Sequence, residues 1–169
     1  MQNITPFLWF DDNAEEAVNF YVSIFKNSKI DTITRYSAAG PGPEGSVMTI
    51  SFRLDGTDFV ALNGGHSAPD GHELTPRITL ASSSAISFVV NCPTQAEVDE
   101  LWERLIDRGD PMQCGWLKDK YGVTWQIVPE GLSELFGDED PDKVNRAMRA
   151  MFEMEKLDIN ALRRASEGR

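Results

Sequence analysis

Basic residues are scarce in this chain: 16 lysines and arginines stand against 27 aspartates and glutamates in 169 residues, a formal net charge of −11. A surface of that sign repels phosphate backbones and anionic lipid, which argues against nucleic-acid and membrane partners. Cysteine is scarcer still. Cys92 and Cys114 are the two in the chain, without CxxC spacing, and they read as reduced thiols of a cytoplasmic protein. No apolar run reaches the roughly 18 residues of a membrane span, and the N-terminus has no basic stretch followed by an apolar one. Neither a spanning segment nor a secretory signal is expected. No glycine-rich turn opens a helix after a strand, which removes the dinucleotide and P-loop fingerprints, and no G-x-S-x-G elbow occurs. The two histidines, His66 and His72, fall beside Glu73 in the Gly-, Pro- and Ser-rich stretch 64–84. Such a loop gives metal ligands no rigid support, so it reads as a solvated insertion. Cys114 then has no histidine base nearby and reads as a packed small side chain on a strand.

What remains is a mixed pattern of strands and helices. Ile4 to Phe10 is a short apolar run, with Pro6 pushing its first half to a sheet margin. Asn13, with Glu16 three residues on, has the spacing of a capping box for an amphipathic helix over 14–25, striped by Ala14, Ala17, Val18, Tyr21 and Phe25. Three strand candidates follow: Ile30 to Ser37, Ser46 to Leu54, and Asp58 to Asn63. Asp55-Gly56 is the hairpin turn between the last two. After the insertion the order repeats. Ala85 to Asn91 is a strand, and Thr94 with Glu97 caps a second helix striped by Val98, Leu101, Trp102, Leu105 and Ile106 and closed by Gly109.

The chain is organised around the stretch that comes next, Gln113 to Pro129. Two β-prone arms, Cys114 to Lys118 and Val123 to Val128, flank the turn Asp119-Lys120-Tyr121-Gly122. Alternation puts Val123, Trp125 and Ile127 on one face of the second arm and Thr124, Gln126 and Val128 on the other. Gln126 therefore shares a face with apolar neighbours, where an amide either satisfies those neighbours or reads a ligand. Beyond Pro129, Asp140-Pro141 opens a helix with the stripe Val144, Ala147, Met148, Met151 and Met154, and Asp158 caps a last helix with Ile159 and Leu162 inward. The predicted fold is α+β: paired βαβββ modules at about 1–65 and 85–130, the insertion at about 66–84, and C-terminal helices at about 131–169.

The segments ITPFLWFDDNAEEAVNFYVSIF, GSVMTISFRLDG, ALNGG, AISFVVNC and QCGWLKDKYGVTWQIVP together closely resemble the PhnB-like, demethylubiquinone methyltransferase-like branch of the vicinal oxygen chelate (glyoxalase/bleomycin-resistance/dioxygenase) superfamily. The resemblance extends over nearly the whole chain, the Met-rich tail included, and departs at the 66–84 insertion. It implies curved mixed sheets enclosing a pocket, commonly in a homodimer, and metal ligands on the first and last strands of each module. Here those strands offer Thr5 or Phe7, Asn63 or a neighbour, Ile86 or Ser87, and Gln126. Of these only Gln126, standing where a ligand glutamate often sits, is a plausible donor, and one neutral amide does not hold a divalent ion that wants imidazoles or carboxylates.

The expectation is a small, partly apolar molecule bound in a sheet-lined pocket without a metal. The candidate ligand-binding residues are Phe7, Trp9, Asn63, Ser87, Cys114, Trp116 and Gln126. Because the strand phases oppose Trp125 to Gln126, Gln126 is taken to point inward. No catalytic residue and no cofactor is assigned. The alternatives are a metal-dependent lyase, isomerase or dioxygenase, methyl transfer as the branch's name suggests, and a non-catalytic sequestering protein. The partner expected besides the ligand is a second copy of the chain, through the Met-rich helix.

Overall fold

The computed structural model describes residues 4–65 and 86–169. His66, His72 and Glu73 lie outside them. The chain divides into two units between Ser83 and Ser84.

In the first unit β1 (Phe7–Phe10) leads into α1 (Ala14–Ile24), and β2 (Lys29–Arg35), β3 (Val47–Leu54) and β4 (Thr57–Asn63) follow. The strands form one mixed sheet in the order β1-β4-β3-β2, with β1 parallel to β4 and the other neighbours antiparallel. Asp55 and Gly56 turn β3 into β4 with φ of 46° and 79°, the left-handed pair that a two-residue hairpin requires. Leu8, Phe10, Ile50, Phe52, Leu54, Phe59 and Ala61 are buried with Ala14, Ala17, Val18, Tyr21 and Ile24 of α1, so one face of the sheet carries the helix and the core. The other face carries Phe7 and Trp9.

The second unit repeats the arrangement. Its strand β5 (Phe88–Cys92) leads into α2 (Gln95–Ile106), and β6 (Asp110–Pro111), β7 (Trp116–Lys118) and β8 (Thr124–Pro129) follow. The order β5-β8-β7-β6, with β5 parallel to β8, matches the first sheet strand for strand. Thr94 caps α2 as its spacing predicts, its hydroxyl accepting from the Glu97 N–H. Leu117, Trp125 and Ile127 pack with Val98, Trp102 and Leu105 of α2, and the Phe88 and Trp125 rings lie 5.4 Å apart. The two sheets and their helices make an α+β fold of paired βαβββ modules.

Three helices close the chain: α3 (Leu132–Phe136), which the periodicity did not signal, α4 (Pro141–Phe152) and α5 (Ile159–Ser166). Asp140 and Asp158 cap the last two through their carboxylates. Met154, assigned to the α4 stripe by spacing, lies beyond the helix end, and its carbonyl accepts from the Cys114 N–H at 2.7 Å. The connection from α4 to α5 and the first residue of α5 are bound to the rest of the second unit at three more points. Gly115 N–H donates to Glu155 C=O, and the Gln95 amide both donates to Leu157 C=O and accepts from Ile159 N–H. Leu157, Ile159 and Leu162 are buried there. Among the described residues no helix is long and apolar enough to cross a membrane.

Two local expectations are corrected by longer-range bonds. Asn13 precedes α1, yet its side chain makes no capping bond; Asn63 Oδ1, at the end of β4, accepts from Ala14 N–H at 2.8 Å instead. Cys114 is not on a strand. It sits at φ 62° with Gly115 at 81°, a left-handed pair that delays β7 until Trp116. A side chain at Gly115 would collide with Ile127 C=O and Leu157, which explains the glycine.

Candidate functional site

The strand phases decide which candidate side chains share a surface. In β8, Trp125 and Ile127 are buried on the α2 side, so Thr124, Gln126 and Val128 belong to the opposite, helix-free face. Register adds the neighbours. Gln126 lies between Val89 of the edge strand β5 and Trp116 of β7. Ser87 comes one residue before the Phe88–Trp125 pair, on the same face as Val89, and Gln126 Nε2 donates to Ser87 Oγ at 2.8 Å. Three of the expected site residues, Ser87, Trp116 and Gln126, are therefore brought together on one sheet face, with Gln126 and Ser87 half-buried.

The turn that holds this arrangement is built on a carboxylate that the sequence reading left unassigned. Asp119 is buried, and its Oδ1 accepts from the Tyr121 and Val123 N–H groups at 2.9 and 3.0 Å. Its Oδ2 accepts from Trp125 Nε1 at 2.9 Å. Tying the indole to the turn keeps Trp125 on the helix side, and period-two alternation then keeps Gln126 on the other. The Asx-turn half of this pattern is local and readable from Asp at the head of a turn. The indole bond is not.

Phe7 and Trp9 occupy the helix-free face of the first sheet, paired in register with Val60 and Leu62 of β4. Phe7 is 54% exposed, whereas Trp9 is half-buried with Nε1 donating to Gly65 C=O at 3.0 Å. Asn63 shares the Phe10 side, and its amide is spent on the fold: Oδ1 on α1, Nδ2 on Val47 C=O at 3.1 Å. A cavity of about 340 Å³ opens at that end of the sheet, lined by Asp11, Asp12, Tyr36, Val47, Asn63 and Gly64 among others. Tyr36 donates its hydroxyl to Asn63 C=O at 2.6 Å, so the polar atoms about Asn63 are bonded to one another. Cys114 turns away from the strands, its thiol donating to Met151 C=O at 3.7 Å. Burial raises its pKa, as it does that of Cys92, pushed up to about 11 by desolvation and then by Glu97 and Glu130. Neither thiol has the depressed pKa of a nucleophile.

The superfamily's metal position does not suit these residues. Of the strand positions that correspond to its ligands, Thr5 is exposed ahead of β1, Phe7 is apolar, Asn63 caps a helix, and Ser87 and Gln126 bond each other. Among the described residues no group of three His, Cys, Asp or Glu side chains comes together to hold an ion. Neutral hydroxyls and amides are poor ligands for a divalent cation.

A family model described as 3-demethylubiquinone-9 3-methyltransferase matches residues 2–128, which span both modules. The chain belongs to that family. Within the 3-demethylubiquinone-9 3-methyltransferase family, a PhnB protein from Bacillus cereus is 37% identical, aligned over 76% of this chain and 99% of its own, with a TM-score of 0.62. Protein PA1353 from Pseudomonas aeruginosa, at 18% identity over 77% of this chain and 98% of its own, has a TM-score of 0.58. The fosfomycin resistance protein FosX from Mesorhizobium loti shares the fold at 11% identity, over 81% of this chain and 98% of its own, with a TM-score of 0.52. No curated protein matches. The family and these folds place the chain in the vicinal oxygen chelate superfamily. One expectation is corrected: the family match covers residues 2–128 and does not extend into the Met-rich tail.

Proposed function

We propose that this family member binds a small, partly apolar molecule on the helix-free face of its second sheet, without a metal, with Gln126 setting the orientation of the ligand. The observation that carries the reading is the Gln126–Ser87 bond beside Trp116 and Val89. Among the described residues no further bond takes up the Gln126 Oε1 acceptor or the Ser87 hydroxyl proton, on a half-buried, apolar-walled surface. Such surfaces bind by burying apolar area and orient by a few convergent polar atoms. A reducing, cytoplasmic setting suits Cys92 and Cys114, both free thiols.

Small aromatic probes such as indole and phenol test it. They should shift the Gln126 side-chain amide resonances, and binding should persist after dialysis against a chelator. Gln126→Leu, close in size, should weaken binding by about tenfold, the weight of one oriented hydrogen bond. Binding that survives Gln126→Leu unchanged would sink the reading, and binding that vanishes with the chelator would favour the metal-dependent alternative.

We infer further that the chain pairs with a second copy of itself. Met148 and Phe152 of α4 are exposed at 37% and 55%, on a helix that buries Ala147 against its own unit. Closed two-fold pairing is the common way to cover such a surface. Sedimentation at micromolar concentration should give the dimer mass; a monomer overturns the inference.

A further inference from the structure

The helix-free face of the second sheet holds one fully buried side-chain oxygen that nothing among the described residues bonds. Thr124 is 3% exposed, and its Oγ1 has no hydrogen-bond partner among the described residues. It stands two residues before Gln126 on the same face, about 7 Å along the strand. Extending the parallel register by one residue puts Ser87 beside it. A hydroxyl withdrawn from water and left unbonded is a cost to the folded chain, and buried polar groups are nearly always satisfied. Valine has the same shape without that cost, so a threonine here calls for a partner that arrives from outside.

The chemistry of the three groups narrows that partner. Ser87 accepts from one N–H of the Gln126 amide, which leaves the serine proton and the second amide N–H as donors and the Gln126 carbonyl as an acceptor. Turning the amide over, so that its carbonyl accepts from Ser87, again leaves two donors, now the amide N–H groups, beside an acceptor, the serine oxygen. Thr124 adds a group of either sense. A carboxylate or phosphate only accepts, which leaves the Gln126 carbonyl unmet, and it would enter a chain whose net charge is already −11. An ammonium only donates and leaves the Ser87 proton unmet. A hydroxyl both donates and accepts.

We propose that the ligand's polar end is a neutral hydroxyl seated among Thr124, Ser87 and Gln126, with its apolar body against Trp116 and Val89. The proposal rests on the binding reading above and makes Thr124 the residue that selects for the hydroxyl.

Phenol and anisole, alike except for a methyl cap on the oxygen, separate the two ideas. Titrations followed by the Gln126 side-chain amide resonances should give phenol about a tenfold tighter Kd than anisole. Thr124→Ser should keep that preference. Thr124→Val should bring the ratio near one without lowering the melting temperature, because it deletes an unbonded hydroxyl. Equal binding of phenol and anisole by the natural chain, or a preference that survives Thr124→Val, overturns this proposal while leaving the binding reading intact. A drop in melting temperature for Thr124→Val also overturns it, since the hydroxyl would then serve the fold. Failure of both probes to bind, in a chain whose spectrum shows it folded, removes the binding reading and this proposal together.

Discussion

Replacing Asp119 by alanine should lower stability by about 4 kcal/mol, because three buried or half-buried donors lose their acceptor at once. Each donor left unpaired away from water costs about 1–3 kcal/mol, and typical domains have only about 5–15 kcal/mol in total. The melting temperature of a chain this long should fall by about 10 °C. Trp125 reports the change directly. Its indole is buried and bonded to the carboxylate, so its fluorescence should move toward that of an indole in water even before global unfolding. Asp119→Asn keeps an acceptor for part of the set and should cost about half as much. A further consequence distinguishes this carboxylate from an ordinary core group. Released from the turn, Trp125 no longer locks the phase of β8, and the Gln126–Ser87 bond on the other face should loosen with it. An alanine variant that melts with the natural chain would show that the turn holds itself without the carboxylate.

Ending the chain after Gly137 should have an effect of similar size. It removes α4 and α5 and with them Leu157, Ile159 and Leu162, all buried. Deleting a buried aliphatic side chain costs about 2–5 kcal/mol, offset here in part because the removed residues also surrender their own ordering entropy. The truncation also strands groups in the part that stays. The N–H groups of Cys114 and Gly115 lose the carbonyls of Met154 and Glu155, and Gln95 loses both its partners. Both N–H groups precede Trp116, so the β7 end of the candidate site should loosen. Thermal unfolding about 10 °C lower, with poorer solubility, is the expected result. Far-UV circular dichroism should keep the β-sheet signal, since the family pattern of two modules ends at residue 128, before the cut. A truncated chain as stable and soluble as the full one would mean that the tail is a passenger.

Periodicity alone determined a good deal of this protein. The apolar stripes of 14–25 and 95–106 become α1 and α2, and the Asp55-Gly56 turn is the hairpin it reads as. The repeated order of elements corresponds to two sheets of identical strand order. The opposition of Trp125 and Gln126 follows from alternation, and the structure keeps it. These features are local: a helix or strand shows its buried face in the spacing of its own side chains.

What tertiary structure decided lies between residues that are far apart in the chain. Asn13 and Glu16 have capping-box spacing, yet the cap of α1 comes from Asn63, 49 residues from Ala14. Asn63 has nothing in its own neighbourhood to mark it as a cap, and on β4 it looks as fit for a ligand as Gln126 does. Cys114 sits in a run that favours strand, but Met154 and Glu155 draw its backbone into a left-handed turn. Gln95 joins the tail to α2 across 62 residues. In each case a hydrogen-bonding group is equally content with any partner of the right polarity, so its residue type says that it will be bonded and not to what. Only the packing of helices on sheets, which brings distant backbone within about 3 Å, chooses the partner. The same reason separates Thr124 from its neighbours. The sequence placed it on the face of Gln126, and only the folded chain leaves its hydroxyl buried and unbonded.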